Sequence, residues 1–160
     1  MIGINELKKL DVFSVLTEKQ IEKLTKIAEM KNYKASTHIY EHGDPAKHLF
    51  VVINGTVALK ELHSDDPVGV AFEMRDPGEI FGAACLMLPQ QYTLTAVCMT
   101  DARVLAVDAA KLVDASEVDP DMGYRLMKKV AQLYFDRYKL AKRRLFEMAK
   151  TPATITALPG

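Results

Sequence analysis

The sequence has 160 residues, a length that predicts one domain with at most a small appendage. It carries 21 Lys and Arg against 21 Asp and Glu, so its formal net charge is zero, which argues against a general electrostatic attraction to nucleic acid or membranes. No apolar run is long enough to span a bilayer and the first residues form no signal-peptide pattern, so we expect a cytoplasmic protein.

Residues 1–30 are predicted to be helical. Thr17 and Gln20 have the spacing of a capping box, in which each side chain bonds the other residue's backbone amide, so a helix should begin after Thr17. Apolar residues recur at helical spacing on both sides of this point: Leu7, Leu10, Phe13 and Leu16 before it, and Ile21, Leu24, Ile27 and Ala28 after it.

From Lys31 onward the pattern changes to short apolar runs bounded by turn residues. Asn54-Gly55 is the strongest hairpin signal in the chain. The predicted strands cover residues 31–40, 49–53, 56–62, 68–74, 92–99 and 103–107. Many short strands at even spacing indicate an antiparallel barrel or roll.

The helical period returns after Asp108. A short helix is predicted over residues 109–115, and Asp119-Pro120 should begin a long helix that continues to about Lys150. Its leucines repeat every seven residues, at Leu126, Leu133 and Leu140, which is typical of packing along a partner helix. Packing on the chain's own barrel is the alternative. We favour a mixture, with the early part of the helix on the barrel and the later part on a second subunit.

The same helix is strongly basic. Residues 125–150 hold nine Lys and Arg against Asp136 and Glu147, a net charge of +7. Such a face could meet a phosphate or an acidic partner, although a solvated face near a helix C-terminus explains it equally simply. The ten residues after it, 151–160, have two prolines and no periodicity and are predicted to be disordered.

A glycine-marked stretch from Gly78 to Ala96 is the candidate functional segment. Gly82 is followed by the small residues Ala83, Ala84 and Cys85, which allow the backbone to approach a ligand closely. Backbone amides at the start of a short helix there would suit a compact anion such as phosphate. On the residues alone, an ordinary corner of a barrel is the better interpretation.

The order of elements and several local phrases resemble the cyclic-nucleotide-binding domain of the superfamily that includes the catabolite activator and the regulatory subunit of protein kinase A. The phrases lie at residues 13–17 (FSVLT), 43–46 (GDPA), 49–57 (LFVVINGTV) and 77–82 (PGEIFG). The resemblance covers about residues 10–148. It implies a mainly β fold, a jelly-roll-like antiparallel β-roll (a double-stranded β-helix) with N-terminal helices and a long C-terminal helix. Residues 1–150 would then be a sensor domain, with residues 119–150 as its dimerisation helix.

Two side chains of the family's phosphate-binding cassette are absent. The family places a glutamate, which binds the ribose, directly after the glycine, where this sequence has Ala83. The arginine that binds the cyclic phosphate falls on Tyr92, and no arginine occurs between Arg75 and Arg103. A bidentate Arg–phosphate contact contributes roughly 1.5–3 kcal/mol, so losing both anchors should weaken binding roughly a hundredfold or more.

The resemblance therefore implies a non-catalytic regulatory module, a homodimer through its C-terminal helix, whose degenerate cassette binds a cyclic nucleotide or another small anion weakly or not at all. No cofactor is certain. The residues predicted to line the site are Phe72, Phe81, Gly82, Ala83, Ala84, Cys85, Tyr92, Thr93 and Thr95, with the helix near residues 125–133 closing over them.

Two alternatives remain open on the sequence, and two further classes are disfavoured. A ligand-free dimerisation or docking module would keep the scaffold without the site. A haem or redox sensor would use ligands from His38, His42, His48, His63, Cys85 and Cys98, although the two cysteines are first of all predicted core residues. A DNA-binding regulator is unlike this sequence, since about ten residues after the long helix are too few for a helix-turn-helix, so we expect output through the oligomer or a protein effector. An enzyme is disfavoured because no catalytic motif is present.

Overall fold

The computed structural model describes residues 2–150, and it begins with three short helical segments. These are α1 (Ile4–Lys8), a 3-10 turn (Asp11–Phe13) and α2 (Glu18–Thr25). The capping box at the start of α2 is confirmed: the Gln20 amide donates to Thr17 Oγ1 at 3.3 Å and the Thr17 amide donates to Gln20 Oε1 at 3.0 Å. The predicted helix as far as residue 30 is wrong, because residues 28–30 begin the first strand and pair with residues 105–107 of the last one.

Eight strands in residues 2–150 form two four-stranded antiparallel sheets, which confirms the predicted β-roll. The first sheet has the order β1-β8-β3-β6 and the second the order β2-β7-β4-β5. The strands are β1 (Ala28–Tyr33), β2 (His38–Tyr40), β3 (His48–Asn54), β4 (Val57–His63), β5 (Asp66–Arg75), β6 (Ile80–Phe81), β7 (Thr95–Cys98) and β8 (Ala102–Asp108).

The differences from the predicted strands follow from sheet pairing. The run predicted over residues 31–40 is broken, because β1 joins one sheet and β2 the other. The run predicted from residue 92 becomes a strand only at Thr95, where pairing with β4 starts. The two-residue strand β6 was not predicted, since it is too short to show a period.

The core combines both sheets with the N-terminal helices. Along β3, all residues from Leu49 to Val52 are buried, so this strand is covered on both faces. Leu7, Phe13, Ile21 and Leu24 are fully buried as well, and the N-terminal helices therefore belong to the fold.

Two helices follow β8. Helix α3 (Ala109–Val118) begins where the Asp108 carboxylate accepts from the Lys111 amide at 3.0 Å. Helix α4 (Pro120–Ala149) begins with Asp119 accepting from the Met122 amide at 3.1 Å, close to the predicted bounds. The compact unit that contains the sheets ends at Leu126, and residues from Met127 form a separate unit.

No helix within residues 2–150 is long and apolar enough to cross a membrane. The predicted disordered tail, residues 151–160, lies outside the described part of the chain.

Candidate ligand-binding site

Within the glycine-marked stretch, residues Ala83–Leu86 form a four-residue 3-10 helix. Gly82 precedes it in the left-handed region, at φ 75°. A Cβ at position 82 would lie 3.1 Å from Phe50 Cδ2, 3.2 Å from the His48 carbonyl oxygen and 3.2 Å from Tyr92 Cε1. Glycine is therefore required for both its φ and its space. The close approach that the sequence indicated for a ligand is made here by the chain's own groups.

Tyr92 is the side chain that fills this space. It is only 5% exposed, and its ring stacks on Tyr40 with centroids 3.6 Å apart and planes 14° from parallel. Tyr40 in turn lies 5.9 Å from Phe50, which stacks on Phe81 at 5.0 Å. These four rings, Tyr40, Phe50, Phe81 and Tyr92, form one packed aromatic cluster beside Gly82.

The Tyr92 hydroxyl is also fully engaged. It donates to the His48 carbonyl oxygen at 2.8 Å and accepts from the His48 amide at 3.1 Å. Burial raises the pKa of Tyr92 to about 12, so the phenol is neutral at physiological pH. A hydroxyl has one proton to donate, so this group has none left for a phosphate while the bond to His48 persists.

Backbone hydrogen bonds fix the loop that carries Tyr92. Both the amide and the carbonyl of Tyr92 are bonded to the turn at residues 43–44, at 3.0 Å to the Asp44 carbonyl and 2.8 Å from the Gly43 amide. The Ala46 amide donates to the Gln90 carbonyl at 2.8 Å. The GDPA turn that carries part of the family resemblance thus holds the cassette loop in place.

The structure brings together only some of the predicted site residues. Phe81, Gly82 and Tyr92 meet in or beside the aromatic cluster, and Ala83 and Cys85 are buried next to them in sequence.

The remaining predicted residues have other surroundings. Thr95 is buried and accepts from the His42 amide at 3.1 Å, which gives it a structural role. Ala84 is partly exposed and Thr93 is exposed. Phe72 is 68% exposed on the edge strand β5, so it does not contribute to the enclosed cluster.

Sequence reasoning missed Tyr40 and Phe50, which complete the cluster, and considered His48 only as a possible haem ligand. Tyr40 ends β2 and Phe50 lies in the continuous apolar run of β3, so each is recognisable as a buried strand residue. Their contact with Tyr92 depends on which strands pair and in which register, and no local pattern in the sequence gives that information.

Arg75, which precedes the cassette in sequence, and Arg125, on the helix predicted to cover it, both have other partners. Arg75 is buried at the end of β5 and donates to the Met74 carbonyl and to Glu73. Arg125 donates to Asp121 at 2.8 Å and to the Val15 carbonyl at 3.2 Å.

The histidines and cysteines considered as haem or redox ligands do not form a cluster. Within the described range, no three His, Cys, Asp or Glu residues are placed to hold a metal ion. Burial raises the pKa of the Cys85 thiol to about 12 and also raises that of Cys98, so both remain protonated thiols. His38 lies on the surface, 3.2 Å from Glu41.

The two four-stranded sheets, the short N-terminal helices and the long C-terminal helix are the elements of a cyclic nucleotide-binding domain fold. The family model of the cyclic nucleotide-binding domain matches residues 30–118, more than half of the chain, and the chain belongs to this family. A comparison with curated proteins found no match.

Solved structures of this family are similar over most of their length. A protein of Geobacter metallireducens GS-15, provisionally assigned as a cyclic nucleotide-binding protein, is 28% identical with a TM-score of 0.77, covering 86% of this chain and 99% of its own. A cyclic nucleotide-binding domain from Methylobacillus flagellatus has a TM-score of 0.79 at 15% identity, covering 98% and 86%. The sensor domain of the transcriptional regulator DNR from Pseudomonas aeruginosa has a TM-score of 0.69 at 17% identity, covering 84% and 90%. The last two similarities concern the fold alone.

Proposed function

We propose that this chain is a non-catalytic regulatory module in which Tyr92 occupies the cassette, so that binding of cAMP or cGMP is weak or lost. The observation that carries the proposal is the burial of Tyr92 against Gly82, with its hydroxyl bonded to both backbone groups of His48. We further propose that the module works in the cytoplasm, where its two free cysteines stay reduced.

Two independent effects support weak binding. The cassette has Ala83 and Tyr92 where the family has its two charged anchors, which removes roughly a hundredfold or more in affinity. In addition, a ligand that entered beside Gly82 would have to displace Tyr92. That step breaks two hydrogen bonds, each contributing about 1 kcal/mol, and a ring stack of similar value.

Calorimetric titration of the full chain with cAMP and with cGMP tests this proposal. We expect no sub-micromolar binding of either nucleotide by the natural chain. The double variant Ala83→Glu/Tyr92→Arg restores both anchors and should gain affinity at least tenfold, since it also empties the space beside Gly82. Thr93→Arg is the control, because it adds the same charge at the adjacent exposed position. Sub-micromolar binding by the natural chain would overturn the proposal.

A thermal-shift screen distinguishes an altered ligand from none. Any small molecule that binds only the folded chain must raise its melting temperature. A ligand whose effect disappears in Ala83→Glu but persists in the control Thr93→Arg would make the cassette a sensor of a different molecule. If no compound in a metabolite set raises the melting temperature, the regulatory module is a docking module that works without a ligand.

We also propose that helix α4 pairs two copies of the chain. Considered by itself, the part of α4 from residue 131 to residue 149 contains no buried residue in the single chain. The heptad leucine Leu140 is 44% exposed, and several aromatic and apolar side chains nearby are exposed as well. Such a stripe is stabilised when a second helix covers it, and the signal would then pass through the dimer to a protein effector.

Light scattering coupled to size-exclusion chromatography tests the pairing. The natural chain is expected to elute as a dimer. Leu140→Lys places a charge in the apolar stripe and should shift the population to monomer, while Ala131→Lys introduces the same side chain at an exposed position on the opposite side of the helix and should leave the dimer intact. A natural chain that is monomeric at high micromolar concentration contradicts the pairing without affecting the cassette proposal.

A further inference from the structure

A second recess lies away from the cassette, where β1 and β3 end and β8 begins. It is a cleft of about 380 Å³, at the lower end of the range that small-molecule sites occupy. Its lining includes Asn32, Tyr33, Lys34, Asn54, Asp101 and Arg103. None of these residues belongs to the aromatic cluster or to the loop that carries Tyr92.

Three polar side chains come together in this cleft. Arg103 of β8 is the cross-strand partner of Asn32 in β1, and directly opposed residues project to the same face, while Asn54 of β3 is paired with Arg103 just after a β-bulge and lines the same cleft. All three residues are exposed. A guanidinium is therefore flanked on both sides by a carboxamide, an arrangement rich in hydrogen-bond donors.

The acceptors in the cleft are already used. Asp101 accepts from Lys34 Nζ at 2.8 Å with one carboxylate oxygen and from the Ala35 amide at 2.9 Å with the other. The hydrogen bond from Lys34 lowers the pKa of Asp101, so the pair remains charged and mutually neutralised at physiological pH. Asn54 Oδ1 accepts from the Gly55 amide at 2.7 Å, which leaves the NH₂ group of Asn54 as a donor.

Arg103 remains the uncompensated charge. Within residues 2–150 it forms no hydrogen bond or ion pair, whereas a surface arginine in a sheet commonly has an acidic or hydroxyl neighbour across the strand. Lys34, Asp101 and Arg103 together give the cleft a net charge of +1. Five guanidinium N–H donors face space that no protein acceptor in the described chain fills.

We propose that this cleft binds the carboxylate or phosphate group of a small organic anion. Arg103 forms a forked contact with two of its oxygens, and the amide groups of Asn32 and Asn54 donate from either side. Because the cleft is larger than a bare oxyanion, the rest of the molecule extends along the wall that Tyr33 contributes. The site is independent of the cassette and of its state.

Nuclear magnetic resonance of the full chain tests the site with defined probes. Inorganic phosphate, acetate and glycerol 3-phosphate are titrated separately, with sodium chloride at matched ionic strength and glycerol as references. Saturable shifts of the Arg103 side-chain Nε–H and of the Asn32 and Asn54 amide groups are expected. The phosphate and acetate arms show which oxyanion is preferred, and tighter binding of glycerol 3-phosphate than of phosphate would show that the wall contributes.

Matched variants make the test decisive. Arg103→Gln should lower the affinity for the preferred anion at least tenfold. Lys19→Gln removes one charge from an exposed position on α2 and should change that affinity less than twofold. Tyr92→Phe should leave it unchanged. Shifts that never saturate, that chloride reproduces, or that persist equally in Arg103→Gln would overturn the proposal. Both glutamine variants lie on the surface, and matching melting temperatures would exclude a folding defect.

Discussion

The cassette and the Arg103 cleft lie at opposite ends of strand β3. The first is filled by side chains of the protein, and the second is open. At the start of the strand, the backbone of His48 is bonded by Tyr92, and the space beside Gly82 is filled with aromatic rings. At its end, roughly 20 Å away, Asn54 and Arg103 line an open recess with donors that have no acceptor. The position that the fold family uses for a ligand is the closed one.

This difference teaches that fold and site chemistry are separate properties of a domain. The β-roll places a glycine, a short 3-10 helix and a loop at the cassette whatever their side chains are. On our proposal, ligand entry depends on position 92, where a buried tyrosine bonds both backbone groups of His48 in β3. At the cleft, the same sheet presents unsatisfied donors because acidic partners are missing or already used.

The largest expected effect is on stability. Tyr92→Ala removes a buried ring and leaves both backbone groups of His48 unpaired, which should destabilise the fold by about 3–5 kcal/mol. Arg103→Ala should change stability by less than about 0.5 kcal/mol, because its side chain is exposed and unbonded within residues 2–150. Urea denaturation followed by circular dichroism measures both. Similar small losses in the two variants would show that the cassette is not filled as described.

Comparing two glycines separates the crowding between position 82 and the Tyr92 ring from the strain of a positive φ. Gly82 and Gly43 both have positive φ, at 75° and 87°, but a Cβ at Gly43 would meet nothing within 4 Å. Gly43→Ala should therefore cost only the backbone strain, about 1 kcal/mol, whereas Gly82→Ala should cost about 2–3 kcal/mol because Tyr92 or Phe50 must move. Equal losses would mean that the space at position 82 relaxes freely. The same denaturation experiment gives both values.

The smallest effect concerns the hydroxyl alone. Tyr92→Phe keeps the ring but loses both hydrogen bonds to His48, so it should cost about 2 kcal/mol at neutral pH. A tyrosine in the unfolded chain has a pKa of about 10, and burial raises the pKa of Tyr92 to about 12, so the folded chain holds the proton more tightly. The stability linked to this proton is complete below pH 10 and is lost as the pH rises towards 12.

Comparing the two chains across that pH range isolates the Tyr92 contribution. The stability difference between the natural chain and Tyr92→Phe should shrink between pH 10 and pH 12, because phenylalanine has no proton to lose. Unfolding free energies measured at intervals of half a pH unit would show it. The groups at Tyr33, Cys85 and Cys98, whose pKa values are also raised, titrate in both proteins and so cancel in the difference. Parallel pH profiles would contradict an enclosed hydroxyl.

Much of the fold could be predicted because its signals are local. The capping box at Thr17 and the start of α4 at Asp119-Pro120 each depend on a few neighbouring residues, and both are present in the structure. The hairpin predicted at Asn54-Gly55 is wrong: the chain does turn there, with Gly55 at φ 86°, but β3 and β4 join different sheets instead of pairing with each other. The errors occur where a distant strand overrides the local pattern, as at residues 28–30, which pair with β8 instead of extending a helix.

The sequence by itself determined the β-roll, its helices and the absence of charged anchors at positions 83 and 92, because periodicity, turn chemistry and residue identity are all local properties. Only the tertiary structure decided which side chains occupy the cassette and where unpaired hydrogen-bond donors lie close together. Tyr92 meets Tyr40 and His48, and Arg103 meets Asn32 and Asn54, through the register of strands far apart in the chain. That register is set by the packing of the whole core, which no short stretch of sequence encodes.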